Sequence, residues 1–96
     1  MKIDFNINGD VLTVALDGRL DTVTAPALDG FLREKFNENT ALVIDCEKLE
    51  YISSAGLRVL LSAQKKAKAP MKLINVCELV MEVFEMTGFT DILTIE

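Results

Sequence analysis

Histidine is absent from all 96 residues of this chain. Without it there is no Ser-His-Asp triad, no His-assisted cysteine nucleophile, no His-ligated metal and no phosphohistidine relay, so an autonomous enzyme is not expected. Positive charge is also scarce: 10 Lys and Arg stand against 15 Asp and Glu, a formal net charge of −5. Nucleic-acid binders need a concentrated basic surface. The one basic cluster, Lys65, Lys66 and Lys68, reads as a solvated helix end, and no nucleic-acid partner is expected. No apolar run approaches membrane-spanning length, and Met1-Lys2-Ile3-Asp4 does not open a charged-then-apolar leader. Neither insertion nor export is therefore expected, and a cytoplasmic address is the default.

Other signatures are missing too. There is no Gly-x-x-x-x-Gly-Lys-Ser/Thr loop and no Gly-x-Gly-x-x-Gly, so no nucleotide or other cofactor is expected. The two cysteines, Cys46 and Cys77, lie in or beside apolar runs and read as reduced, packed thiols without a redox role. The carboxylate pairs Glu47/Glu50 and Glu82/Glu85 fall on solvent-facing loop or helix positions, where solvation explains them better than acid–base work.

What is present is a chain half of whose residues are apolar, enough for one domain with its own core and no staples. Ile3, Phe5 and Ile7 alternate with Asp4, Asn6 and Asn8. An Asn8-Gly9 turn then leads to a second strand from Val11 that Gly18 ends. Pro26 is tolerated only in a helix's first turn, so a helix starts near Val23 with a core stripe of Ala25, Leu28, Phe31, Leu32 and Phe36. Ala41 to Cys46 is a short apolar run suited to the middle of a parallel sheet. A second helix follows, with Ser53 or Ser54 as its N-cap, the hydroxyl accepting a bond from an orphan N–H. Met71 to Val76 reads as a fourth strand. A third helix begins near Cys77 or Glu78, turns Leu79, Val80, Val83 and Phe84 inward and closes at Gly88 as a left-handed C-cap. Ile92 to Ile95 makes a last strand.

The order is β-β-α-β-α-β-α-β, a mixed and mostly parallel α/β sheet of four or five strands packed by helices, with the first strand as an antiparallel edge. Asp4, Asn6 and Asn8 on that edge protect against edge pairing or form one solvated face.

This order, together with Gly18-Arg19-Leu20-Asp21, Ile52-Ser53-Ser54-Ala55-Gly56-Leu57 and Phe84-Glu85-Met86-Thr87-Gly88-Phe89, resembles the STAS family over essentially the whole chain. The resemblance implies the STAS (SpoIIAA-like) fold and the role of an anti-sigma-factor antagonist. In that family the usual segment is Asp-Ser-Ser/Thr-Gly-Leu, and its first serine is phosphorylated by a partner kinase that is also the anti-sigma factor. Aligned on the glycine, that serine is Ser54. Here Ser53 stands in place of the usual aspartate and Ala55 follows Ser54, so Ser53 offers a neighbouring hydroxyl.

The resemblance further implies a PP2C-type phosphatase that resets the switch. It makes Asp21, Thr22, Ser53, Ser54, Gly56 and exposed Leu57 and Arg58 the candidate partner contacts. For Asp21 the other reading is a first-turn carboxylate capping the first helix, and the residue could serve both roles; for Leu57 a place in the core is at least as good a reading. Two other roles within the family are a constitutive scaffold subunit of a lipid-transport or other membrane-associated complex, and a nucleotide- or small-ligand-binding domain.

Overall fold

The computed structural model describes residues 1–96. Its elements are β1 (Lys2–Asn8), β2 (Val11–Leu20), α1 (Ala25–Lys35), β3 (Ala41–Ile52), α2 (Ser54–Lys66), β4 (Met71–Ile74), α3 (Glu78–Thr87), a single 3₁₀ turn at Phe89–Asp91, and β5 (Thr94–Ile95). The strands form one sheet in the order β1-β2-β3-β4-β5. β1 is antiparallel to β2, and every later neighbour pair is parallel, as the strand–helix–strand repeats require.

A sheet whose parallel strands advance steadily in one direction through crossovers of one hand carries all its helices on one face. The burial pattern agrees. Leu12, Val14 and Leu16 of β2, Leu42, Ile44 and Cys46 of β3, and Met71 and Leu73 of β4 are buried, while the residues alternating with them are exposed or half-buried. The buried strand residues share one cluster with Leu28, Leu32 and Phe36 from α1 and its C-cap, Leu57, Leu60 and Ala63 from α2, and Val80 and Phe84 from α3. No polar or charged residue is buried. The opposite face, with Asp4, Asn6, Thr13, Ala15 and Val43, carries no helix.

Several boundaries differ from the sequence expectation, each for a physical reason. The hairpin turn is Gly9-Asp10, with Gly9 at φ 62 and Asn8 already paired with Val11. Gly18 does not end β2. It sits at φ 108 inside the strand, where the register with β3 shifts. From Ala15↔Asp45 to Leu20↔Ile52, β3 advances seven residues while β2 advances five, so β3 carries two extra residues as bulges and runs on to Ile52. Glu47 and Glu50 are therefore exposed strand residues, not loop residues. α1 starts at Ala25, later than Val23, because Val23 and Thr24 are held in the preceding turn; Pro26 stays within the first helical turn.

β4 stops at Ile74 because Asn75 turns into the left-handed region at φ 57, its amide donating to Asp45 Oδ1 at 3.1 Å. On α3, Val80 and Phe84 are buried as expected, but Leu79 is 55% exposed, since the core stripe is only two residues wide. Gly88 caps α3 at φ 78, as expected. β5 is shortened to Thr94–Ile95 because the 3₁₀ turn uses the preceding residues. Cys46 is a core residue whose thiol burial pushes up to about 12, leaving it inert. Cys77 occupies the N-cap position of α3, its thiol donating to the Leu49 carbonyl at 3.6 Å.

Candidate functional site

Two connections meet at the carboxyl ends of β2 and β3, the end of an α/β sheet where sites are presented. Their last paired residues are Leu20 and Ile52. The ladder continues one step further, with the Ser53 N–H donating to the Leu20 carbonyl at 2.9 Å. This bond sets the β2–α1 turn, Asp21 to Thr24, directly beside the start of α2. Asp21, Thr22, Ser53 and Ser54, expected from the sequence among the partner contacts, are brought together by the fold.

The β2–α1 turn is held by its own side chains. Asp21 Oδ1 accepts from the backbone N–H of Val23 at 3.0 Å and of Thr24 at 3.1 Å. In return the Asp21 N–H donates to Thr24 Oγ1 at 2.8 Å, and the Thr24 hydroxyl donates to the Arg19 carbonyl at 2.7 Å. Such reciprocal Asx and hydroxyl bonds rigidify a turn that would otherwise leave backbone donors open. They also hold the Asp21 carboxyl below the usual carboxylate range, the Thr24 backbone N–H contributing most. Asp21 Oδ2 lies 3.7 Å from Arg19 Nε, and the Arg19 guanidinium stacks 4.1 Å from the centre of the Tyr51 ring. This carboxylate is thus already engaged as a turn-builder. At the tip it supports, Thr22 is exposed and Val23 is 85% exposed.

Across from that tip, Ser53 is the N-cap residue of α2 in extended conformation (φ −105, ψ 176). Its side chain makes no capping bond, contrary to expectation. Ser53 Oγ is instead turned inward, buried and without a hydrogen-bond partner in the protein. Ser54 is the first residue of α2 and is exposed. The first-turn N–H groups of a helix have no intrahelical acceptor, and here neither an N-cap oxygen nor a first-turn acid compensates them. Ser54 therefore presents its hydroxyl at an uncompensated positive helix end.

Gly56 and Leu57, both expected among the partner contacts, point the other way. Gly56 is buried, and a Cβ there would lie 2.7 Å from Leu20 Cγ and 2.9 Å from Ile52 Cγ1. Only glycine lets α2 approach the ends of β2 and β3 this closely. Leu57 is 6% exposed and belongs to the core, so its expected exposure is corrected. Arg58, four residues after Ser54 and on the same helical face, is exposed. Val23 was missed in the sequence. Its signal was an apolar residue inside the polar run Asp21-Thr22-Val23-Thr24 just before Pro26.

The exposed set is Thr22, Val23, Ser54 and Arg58, with Asp21 and Ser53 half-buried between them. An apolar tip on the β2–α1 turn beside a hydroxyl and a cation on the first turns of α2 suits a protein surface. A groove of about 240 Å³ between α1 and α2, lined by Leu32, Phe36, Val59 and Lys66 among others, contains none of these residues.

A family model described as STAS domain matches residues 2–96. BtrV of Bordetella bronchiseptica, named as a candidate anti-sigma factor antagonist, is 34% identical to this chain, covering 96% of it and 83% of the relative. The anti-sigma-B factor antagonist of Bacillus subtilis is 29% identical, over 99% of this chain and 90% of that protein. Among solved structures, an anti-sigma factor antagonist from Mycobacterium paratuberculosis shares the fold with a TM-score of 0.88 at 24% identity, covering 98% of this chain and 83% of its own.

Proposed function

The chain belongs to the STAS domain family, and from that premise we propose that it is an anti-sigma-factor antagonist working by partner switching. Unphosphorylated, it binds a serine kinase that is also an anti-sigma factor and so frees the kinase's target. Phosphorylated on Ser54, it is released, and a PP2C-type phosphatase resets it. The names of relatives matched over most of their length support the role. The observation that carries the choice of residue is the contrast between two adjacent hydroxyls: Ser54 is exposed, while Ser53 Oγ is buried. A kinase reaches the first and not the second.

The physical consequences follow from the place of Ser54 on α2. A phosphoryl group adds about −1.5 to −2 charges, which free N–H groups and the helix dipole accommodate without refolding. The effect is therefore felt at the interface. A partner surface seated on Val23, Ser54 and Arg58 would face a dianion it has no group to match. An unpaired charge of that kind costs roughly 2–5 kcal/mol, a loss of about thirtyfold or more in affinity.

The test is nucleotide-dependent complex formation with anti-sigma kinases from the same cells, measured for the wild type, Ser54→Ala and Ser54→Asp. Binding retained by Ser54→Ala and lost by Ser54→Asp is the expected result. Equal binding by all three would sink the switch.

A further inference from the structure

The strand at the sheet's edge carries a second surface, independent of the switch loops. In a hairpin closed by a two-residue loop, the pair flanking the loop exchanges backbone hydrogen bonds, and the exchange recurs at every second residue. Here the flanking pair is Asn8↔Val11, so Asn8, Asn6, Asp4 and Lys2 bond to β2. The N–H and C=O groups of Ile3, Phe5 and Ile7 consequently point away from β2, along the open edge. The side chains of these same three residues lie on the helix-bearing face, opposite Leu16, Val14 and Leu12. Yet Phe5 is 47% and Ile7 57% exposed, although Phe5 meets Phe31 of α1 edge-on with ring centres 5.2 Å apart.

Natural edges are blunted by proline, bulges, charged side chains or a covering element. β1 has no proline, its register with β2 is unbroken over seven residues and no strand pairs with its outer side. Its own charges, Lys2 and Asp4, project from the helix-free face, and the nearest charge on the other face is Lys35 of α1, 5.5 Å from the centre of the Phe5 ring. Asp4, Asn6 and Asn8 project from the helix-free face, perpendicular to the edge, and leave the backbone groups open.

We propose that the β1 edge is an interface for a second copy of this chain, pairing antiparallel about a two-fold axis through Phe5. The register follows from the pattern of the strand. Centred on Phe5, it sets Phe5 against Phe5, Ile3 against Ile7 of the other copy, Asp4 against Asn6 and Lys2 against Asn8. Apolar residues then meet apolar ones on the helix-bearing face, and polar residues meet polar ones on the other. All three outward-pointing residues of each copy become hydrogen-bonded pairs. Moving the centre one residue toward the N-terminus opposes Asp4 to Asp4, a like-charge pair. Moving it the other way sets Ile3 against Gly9 of the turn. The two-fold runs normal to the sheet, so the five-stranded sheets join into one of ten strands. The two Ser54 helix starts then lie at opposite ends, and both remain open.

Sedimentation of the full chain across a concentration series tests this, with Ile7→Pro and Ile7→Lys alongside. Proline at residue 7 removes a donor that points outward and no bond to β2, a position edge strands tolerate. The expected result is a concentration-dependent dimer of the 10.6 kDa chain. Ile7→Pro should weaken it about thirtyfold, because the symmetric dimer loses two hydrogen bonds, and Ile7→Lys should weaken it as well. Under mild oxidation Phe5→Cys should cross-link to itself, its backbone pair lying about 5.5 Å apart. Ile7→Cys should not, because its two copies are about 14 Å apart. A monomer at every concentration, a dimer undiminished in the folded Ile7 variants, or equal cross-linking of the two cysteine variants would overturn the proposal. If Ile7→Pro does not fold, Ile7→Lys and the cross-linking pair decide it.

Discussion

Alanine at two glycines should move stability in opposite directions, although the covalent change is the same. At Gly56 the added methyl carbon would lie 2.7 Å from Leu20 Cγ and 2.9 Å from Ile52 Cγ1, against a comfortable carbon–carbon separation of about 3.5–4.0 Å. Leu20 and Ile52 are 0% and 2% exposed, so neither side chain has room to retreat. Overpacking of this kind costs about 1–3 kcal/mol. The helix-propensity gain on replacing glycine is at most about 1 kcal/mol, and less in the first turn of α2, where few intrahelical bonds are made. We expect Gly56→Ala to lose about 1–2 kcal/mol, a fall in Tm of roughly 5–15 °C for a domain of this size. Gly30 lies mid-helix in α1 with nothing within 4 Å of an added Cβ, so Gly30→Ala should gain about 0.5–1 kcal/mol. Thermal unfolding followed by far-UV circular dichroism measures both. If Gly56→Ala matched or exceeded the wild type, α2 would not be held against β2 and β3 as described, and the placement of Ser54 beside the Asp21 turn would lose its physical basis.

Three further outcomes follow. Leu57→Ala should cost about 2–5 kcal/mol because it empties a core site; lost partner binding with an unchanged Tm would make it a surface contact instead. Ser53→Ala should leave Tm nearly unchanged, in contrast to the loss of about 1 kcal/mol typical of an N-cap, because its hydroxyl makes no capping bond; a clear fall in Tm would mean that the hydroxyl caps after all. Asp21 has a folded pKa below its ordinary value of 3.8, first through the Thr24 backbone N–H. Its contribution to stability is therefore present above that value and lost as pH falls through the lower, folded one. Asp21→Asn should accordingly be less stable than wild type near neutrality, the gap closing below about pH 4 in a series of Tm measurements. A gap independent of pH would place the Asp21 effect outside its ionised carboxylate.

Much of the fold was legible because the apolar pattern changes period where the elements change. The alternation of Ile3, Phe5 and Ile7, the stripe Leu28, Leu32 and Phe36, and Gly88 after α3 each stand where local chemistry puts them. The errors cluster where a residue's role depends on a distant neighbour. Gly18 looks like a strand end in one dimension, and only its pairing with β3 shows that it sits in a bulge. The extra residues of β3 past Cys46 break strict alternation, which hid the six residues that carry the strand to Ile52. Ser53 stands at a helix start with the extended backbone a cap requires, but its side chain is turned inward and makes no capping bond. Leu57 was ambiguous because the residue after the first helical turn faces the core or the solvent according to how closely α2 approaches the sheet. Gly56 sets that approach. Val23 escaped notice because exposure of an apolar residue is a property of the assembled turn.

The most direct test of the switch is phosphopeptide mass spectrometry on the protein isolated from its own cells, covering Tyr51 to Lys65, with a Ser54→Ala strain as control. Phosphate on Ser54, absent from the control strain, is the predicted result. Phosphate on Ser53 would contradict the assignment drawn from its buried hydroxyl. A peptide unmodified through growth and stress would contradict the switch itself and favour a constitutive scaffold, for which the fold matters and the hydroxyl does not.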